Sequence, residues 1–96
     1  MSTIAARYMA TVASLGCCVC RRAGVMDSPA EVHHVAGGSS VRSDFAVAPL
    51  CHEHHRGKSG LHGMGARAFC ALYRPPFDSE YGLLVWTTED LARVAK

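Results

Sequence analysis

The stretch CHEHH, residues 51–55, sets Cys51, His52, His54 and His55 around Glu53. Within it Cys51 and His54 form a C-x2-H pair; upstream, in CCVC at residues 17–20, Cys17 and Cys20 form a C-x2-C pair. A structural zinc takes four N or S ligands in a tetrahedron, and a short-spaced pair on one turn delivers two of them, so two such pairs complete a closed site. The spacing therefore predicts a structural Zn2+ held by Cys17, Cys20, Cys51 and His54. A second register, with Cys51 and His55 on the zinc and His54 released, meets the same count. Unliganded thiols beside surface histidines are the plain alternative. Cys18 would strain the knuckle through a C-x-C spacing and reads as a bystander, and Cys70 falls in a helical stretch and reads as a small core residue.

A metal cross-link matters to a chain this short. Its 96 residues make one small domain, and a domain of that size buries only about two-thirds of its unfolded surface, which leaves a thin core. Five cysteines, an odd number, argue against a fully paired disulfide framework. The N-terminal MSTIAARYMATVASLG has Arg7 in its middle and no basic leader ahead of a continuous apolar run, so no signal peptide is expected. Apolar runs are only a few residues long, against roughly 20 for a membrane helix, so no membrane partner is expected either. The expectation is a soluble protein of a reducing cytoplasm, where free thiolates stay available to zinc. The formal charge is +2, with seven Lys or Arg against four Asp or Glu between Cys17 and Arg74 and an acidic to neutral tail after Pro76. A mildly basic centre is compatible with a polyanionic partner but does not establish one.

Outward from the two pairs, the elements are short. Ile4, Tyr8, Val12 and Leu15 recur at helical spacing, with Ser2 as N-cap and Gly16 as stop, which predicts a packing helix over residues 2–15. AEVHHVA (30–36) reads as a strand closed by the GGSS turn at 37–40. DFAVAPL (44–50) reads as a second strand with Phe45 and Val47 on one face and Pro49 at its end, the two strands forming a hairpin. CHEHHR begins a short helix, GKSGLHGMG interrupts it, and ARAFCALYR predicts a helix over about 64–74 ended by Pro75 and Pro76. Thr87 or Thr88 caps a last helix over about 88–95. No repeat or linker divides the chain, so a single domain over 1–96 is expected, with an α+β core at about 17–62 and flanking helices.

The zinc set leaves His33, His34, His52, His55 and His62 unassigned. His33 and His34 are neighbours on a strand, where successive side chains leave opposite faces, so they suit two different jobs. One can hold a catalytic cation while the other takes a proton from water, which is what a metal-assisted hydrolase needs around a scissile bond. An ordinary pKa near 6.5 makes histidine a usable base at neutral pH. On its own, the pair reads equally well as surface histidines on an edge strand.

Taken in order, CCVC, EVHHV, GG, DFAVAPLC and CHEHH resemble the HNH endonuclease superfamily, the ββα-metal nucleases, in a zinc-containing form. Within it the chain most resembles small phage-borne and prophage-borne nucleases of the recombination-enhancement type. The resemblance covers about residues 17–62 and rests on the order and spacing of the five elements. It implies a zinc-stapled, treble-clef-like ββα core and a nuclease of a bacterial or phage-infected cell that cuts DNA, with RNA left open. Carried over by position, it makes His34 the general base and His33 and His55 ligands of a catalytic divalent ion. That ion would be Mg2+ or Mn2+, or Zn2+ or Ni2+ where histidine ligands are more numerous. His62 would be a further ligand or a phosphate contact. The family's middle Asn is missing: Ala46 stands there, and Asp44, two residues earlier, is the nearest polar substitute, bonding loop amides or orienting a histidine. Arg21, Arg22, Arg42, Arg56 and Lys58 flank the site in sequence and read as phosphate contacts or as solvated charges. His52 reads as solvent-facing. A single site nicks one strand, so a double-strand cut would call for a homodimer or a phage or host recombination partner. The rival reading is a zinc-stabilised nucleic-acid-binding or adaptor module without catalysis, and a disulfide-rich secreted scaffold is a third.

Overall fold

A two-stranded antiparallel hairpin, β1 (Glu31–His34) with β2 (Val47–Leu50), carries the fold, and among the described residues six short helices pack around it. The structure, a computed structural model, describes residues 2–95. In chain order the helices are α1 (Thr3–Ser14), α2 (Cys18–Arg22), α3 (His52–Arg56), α4 (Leu61–Met64), α5 (Ala66–Tyr73) and α6 (Gly82–Val94), with one 3-10 turn at Pro76–Asp78. This is a small α+β fold consistent with the zinc-stapled ββα core expected from the sequence.

The strands pair Glu31 with Leu50, Val32 with Pro49, His33 with Ala48 and His34 with Val47. Val35 N donates to Ala46 O at 2.9 Å, which sets the phase of the ladder. Hydrogen-bonded and non-bonded pairs alternate in an antiparallel sheet, so Pro49 falls opposite Val32 in a non-bonded pair and its missing N–H leaves no ladder bond unmade. Pro49 was expected to end the strand and instead sits inside it. At its other end β2 is shorter than expected. Ser43 closes a turn, its Oγ accepting from Phe45 N at 3.1 Å, so Phe45 precedes the strand, stays 51% exposed and leans on Tyr8 with ring centroids 5.5 Å apart. All four residues of β2 are buried, since α1, α2, α3 and α6 all pack against it.

Helix α1 begins as the sequence predicts, with Ser2 Oγ accepting from Ala5 N at 3.0 Å, and stops before Gly16, whose φ of +81° suits the left-handed turn after a helix. Its buried stripe runs through Ala5, Val12 and Leu15, whereas Ile4, assigned to that stripe from spacing, is 69% exposed. Thr3–Arg22 has a mean hydropathy of 1.4 over a bilayer-length stretch. That stretch is broken at Gly16 into α1 and α2, and its buried side chains are spent on the hairpin and on α6.

Helix α6 starts at Gly82 and not at 88. Leu83, Thr87 and Asp90 form its buried stripe at spacings of four and three, so Thr87 and Thr88 lie in the helix interior and cap nothing. Their hydroxyls donate to the carbonyls of Leu83 (2.7 Å) and Leu84 (2.9 Å), the usual way for a mid-helix threonine to satisfy its polar group. Asp90, fully buried, takes both oxygens of its carboxylate to Arg22 Nη1 at 3.0 and 2.8 Å, with Arg93 at 3.1 Å and Arg21 at 3.6 Å. Arg22 also lies 5.1 Å over the Trp86 ring, which ties α2 to α6. Leu50, Phe69 and Leu83 fill the core beside Cys17 and Cys18.

Candidate active site

Among the described residues two clusters of ligand-bearing side chains form, and α3 supplies both. In the first, Cys17 N-caps α2 and Cys51 N-caps α3, each sulfur accepting the backbone N–H three residues on, from Cys20 and His54, at 3.4 Å. The same cysteine-capped turn thus occurs twice, and the two turns face each other. His54 Nδ1 lies 3.4, 3.5 and 3.2 Å from the sulfurs of Cys17, Cys20 and Cys51, and Cys20 Sγ lies 3.8 Å from Cys51 Sγ. A tetrahedron with Zn–S bonds of about 2.3 Å has S···S edges of about 3.8 Å and slightly shorter S···N edges, so the donors fit zinc. The same 3.8 Å is far beyond the roughly 2.05 Å of a disulfide bond. The four residues could hold a metal ion such as zinc.

Burial pushes the Cys17 thiol up to about 12, so the thiolate a metal needs forms there only with a cation to compensate it. Desolvation lowers His54, keeping its imidazole neutral and ready to ligate. Cys18 is buried outside this set, and Cys70 is buried in the core. The alternative register is overturned: His54 Nδ1 meets the sulfurs, while His55, rotated by about 100° along the helix, faces the other cluster.

The second cluster is His33 from β1, His55 from α3 and His62 from α4, with one nitrogen of each within 4.8 Å of the others. Glycines make this meeting possible. A Cβ at Gly63 would collide with the carbonyl of Gly57, and one at Gly60 with that of Glu53, so only glycine lets α4 lie directly on the end of α3 and bring His62 to His55. The segment expected to interrupt the helical run is therefore tightly packed. His33 and His55 are buried while His62 is exposed. Two carboxylates reach the buried pair: Glu80 Oε2 lies 2.7 Å from His33 Nε2, and Glu31 Oε1 lies 2.6 Å from His55 Nδ1. Burial lowers His33 even against the pull of Glu80, and desolvation lowers His62 with help from His55 and Arg56; both imidazoles are thereby kept in the neutral form a cation requires.

His34 leaves β1 on the opposite face, as alternation demands, and its Nε2 lies 2.9 Å from Asp44 Oδ1. Asp44 thus orients a histidine. His34 is only partly buried, and with His33, His62 and Glu80 it lines an open cavity of about 880 Å³.

The cations expected at phosphate fall into separate places. Arg42 lines the cavity. Arg56 lies 3.5 Å from Glu31, and Lys58 is exposed on the loop after α3. Arg21 and Arg22 line no part of the cavity; Arg22 is spent on Asp90, on Glu89 at 2.9 Å and on the Trp86 carbonyl, and Arg21 donates to the Leu15 carbonyl at 3.1 Å. His52 is 75% exposed with Glu31 at 3.3 Å. Sequence reasoning missed Glu31, Arg67 and Glu80. Glu31 had a signal, since it stands two residues before His33 and so shares its strand face. Arg67, on the cavity wall, and Glu80, 47 residues from His33, had none.

A family model described as "Recombination enhancement, RecA-dependent nuclease" matches residues 2–92. No curated protein matches the chain.

Proposed function

The chain belongs to the recombination enhancement, RecA-dependent nuclease family, and from that premise we propose that it is a metal-dependent endonuclease of the HNH type in its zinc-containing form, hydrolysing phosphodiester bonds of DNA. The observation that carries this reading is the His34–Asp44 pair at 2.9 Å, with His34 on the wall of a cavity that His33 and His62 of the three-histidine cluster also line. A purely structural zinc module has no use for an oriented base next to a second ion site.

In this reading Cys17, Cys20, Cys51 and His54 hold the structural zinc, and His33, His55 and His62 hold a catalytic divalent cation. When bound, that cation supplies positive charge to the phosphoryl oxygens and to the departing 3′ oxygen. Three imidazoles suit Zn2+ or Ni2+ better than Mg2+ or Mn2+, which favour oxygen ligands. Asp44 accepts from Nε2–H of His34, fixing the tautomer that leaves Nδ1 free to take a proton from water as its oxygen attacks phosphorus. The Asp44 carboxylate then stabilises the imidazolium. Arg42 and Arg67 on the wall offer charge-assisted contacts to the phosphates on either side of the scissile bond. One such site cuts one strand, so a double-strand break requires a second copy or a recombination partner. The setting is the cytoplasm of a bacterial or phage-infected cell.

The test is nicking of supercoiled plasmid by zinc-loaded protein with Mg2+, Mn2+, Ni2+ or added Zn2+. Cleavage with at least one ion, lost in His34→Ala, is the expected result. Absence of cleavage with every ion would leave a zinc-stabilised binding module, and full activity in His34→Ala would remove His34 as the base.

A further inference from the structure

We propose that Glu80 is a positioning residue of the three-histidine centre, holding His33 in the one tautomer and orientation that presents Nδ1 to the ion. This rests on the reading of His33, His55 and His62 as ligands of a divalent cation. It adds a residue from the far end of the chain, beyond the stretch 17–62 that carries the resemblance to the nuclease superfamily.

His33 is 6% exposed and sits against two other rings, with centroids 5.2 Å from His55 and 5.3 Å from His62. A buried imidazole has two nitrogens and two tautomers, and the hydrogen bond made by one nitrogen decides what the other can do. Glu80 Oε2, 2.7 Å from Nε2, accepts only if that nitrogen carries the proton, so the lone pair is left on Nδ1. Glu31 does the mirror-image job at His55, accepting from Nδ1–H and leaving Nε2. The two buried ligands therefore offer opposite ring nitrogens, each fixed by its own carboxylate, the arrangement that orients a ligand and raises its basicity. Among the described residues no carboxylate bonds His62, the exposed member of the set.

Glu80 is itself held in place. It follows a turn in which Phe77 and Asp78 take φ of +66° and +48°, a conformation that costs a bulky L-residue energy and that the surrounding packing maintains. The next residue, Tyr81, lies against Gly37 so closely that a Cβ there would meet its hydroxyl, which locks the segment onto the turn after β1. Leu83 N donates to the Glu80 carbonyl at 3.0 Å, joining the same residue to the first turn of α6. A carboxylate that merely filled surface would not need three independent restraints on its backbone.

The test uses full-length, zinc-loaded protein and no DNA, so it is separate from any failure of the nuclease reading. Glu80→Ala, Glu80→Gln and wild type are titrated with Ni2+ by calorimetry, and the His33 ring is observed by 15N NMR in the protein without the second ion. We expect wild type to show a single Nε2–H tautomer at His33. Glu80→Ala should mix the tautomers and weaken Ni2+ binding by about 10–100-fold. Glu80→Gln keeps an acceptor of the same shape and should preserve the tautomer with a smaller loss of affinity; it also serves if the alanine variant does not fold. Wild-type Ni2+ affinity and an unchanged tautomer in a folded Glu80→Ala protein would overturn the proposal, even with a lowered Tm, because that pattern marks a purely structural ion pair. An unchanged affinity and tautomer in Glu80→Gln together with an unfolded Glu80→Ala would overturn it as well.

Discussion

His54 and His55 are neighbours in sequence and belong to two sites built on different principles. His54 joins three sulfurs drawn from two helix-capping turns, and its cluster is closed: every donor comes from a turn whose backbone already bonds the sulfur. His55 joins two other histidines from separate elements, and there the buried rings are held by carboxylates while the third faces solvent beside an open cavity. The first arrangement leaves an ion no room for a further ligand and suits a structural role. The second leaves one side of the ion accessible, as a catalytic role requires. The difference lies in what fixes each donor, the main chain in one case and outer carboxylates in the other.

The sharpest way to break this contrast is to deny the first cluster its metal. A structural zinc contributes apparent binding free energies of about 10–16 kcal/mol, as large as the whole folding stability of a small domain, about 5–15 kcal/mol. Chelation, or Cys51→Ser, should therefore abolish the helical far-UV circular dichroism, whereas His55→Ala should keep it; equal loss in both would mean the two sites share one structural task. Next in size is His34, the proposed base. His34→Ala should slow plasmid nicking by about 10²–10⁴-fold with zinc content and Tm unchanged. Then comes the ion pair that ties α2, and with it Cys20, to α6. Asp90→Ala removes a fully buried carboxylate that three arginines approach and should cost about 3 kcal/mol in urea denaturation, without changing Ni2+ affinity at the three histidines. The smallest effect is expected at the exposed His52: His52→Ala should stay within about 0.5 kcal/mol of wild type, and a larger loss would show that Glu31 needs both of its histidines.

The closed cluster was legible because its information is local. Two residues between ligands are enough to define a capped turn, and Cys17, Cys20, Cys51 and His54 do come together. The choice between His54 and His55 for zinc could not be made from spacing, since it depends on which face of a one-and-a-half-turn helix meets the sulfurs. The open cluster was only partly legible. Alternation along β1 separates His33 from His34, but the carboxylate that bonds His33 sits beyond two prolines and a 3-10 turn, and no local pattern links them. Pro49 misled because a strand tolerates proline wherever its nitrogen faces away from the partner, and that phase is set by the pairing with β1. Arg21 and Arg22, read as free cations, are consumed by Asp90, an acidic residue that sequence alone would place on the surface.

The two cysteine-capped turns stand on either side of the exposed segment 37–43, with Cys20 and Cys51 31 positions apart. If a protease cut that segment, each fragment would keep half of the ligand set, and the zinc would become a joint between two polypeptides. The nicked protein should then migrate as one molecule on size exclusion and fall into two pieces only when a chelator is added, so that this domain can in principle be supplied as separate halves that a metal ion assembles.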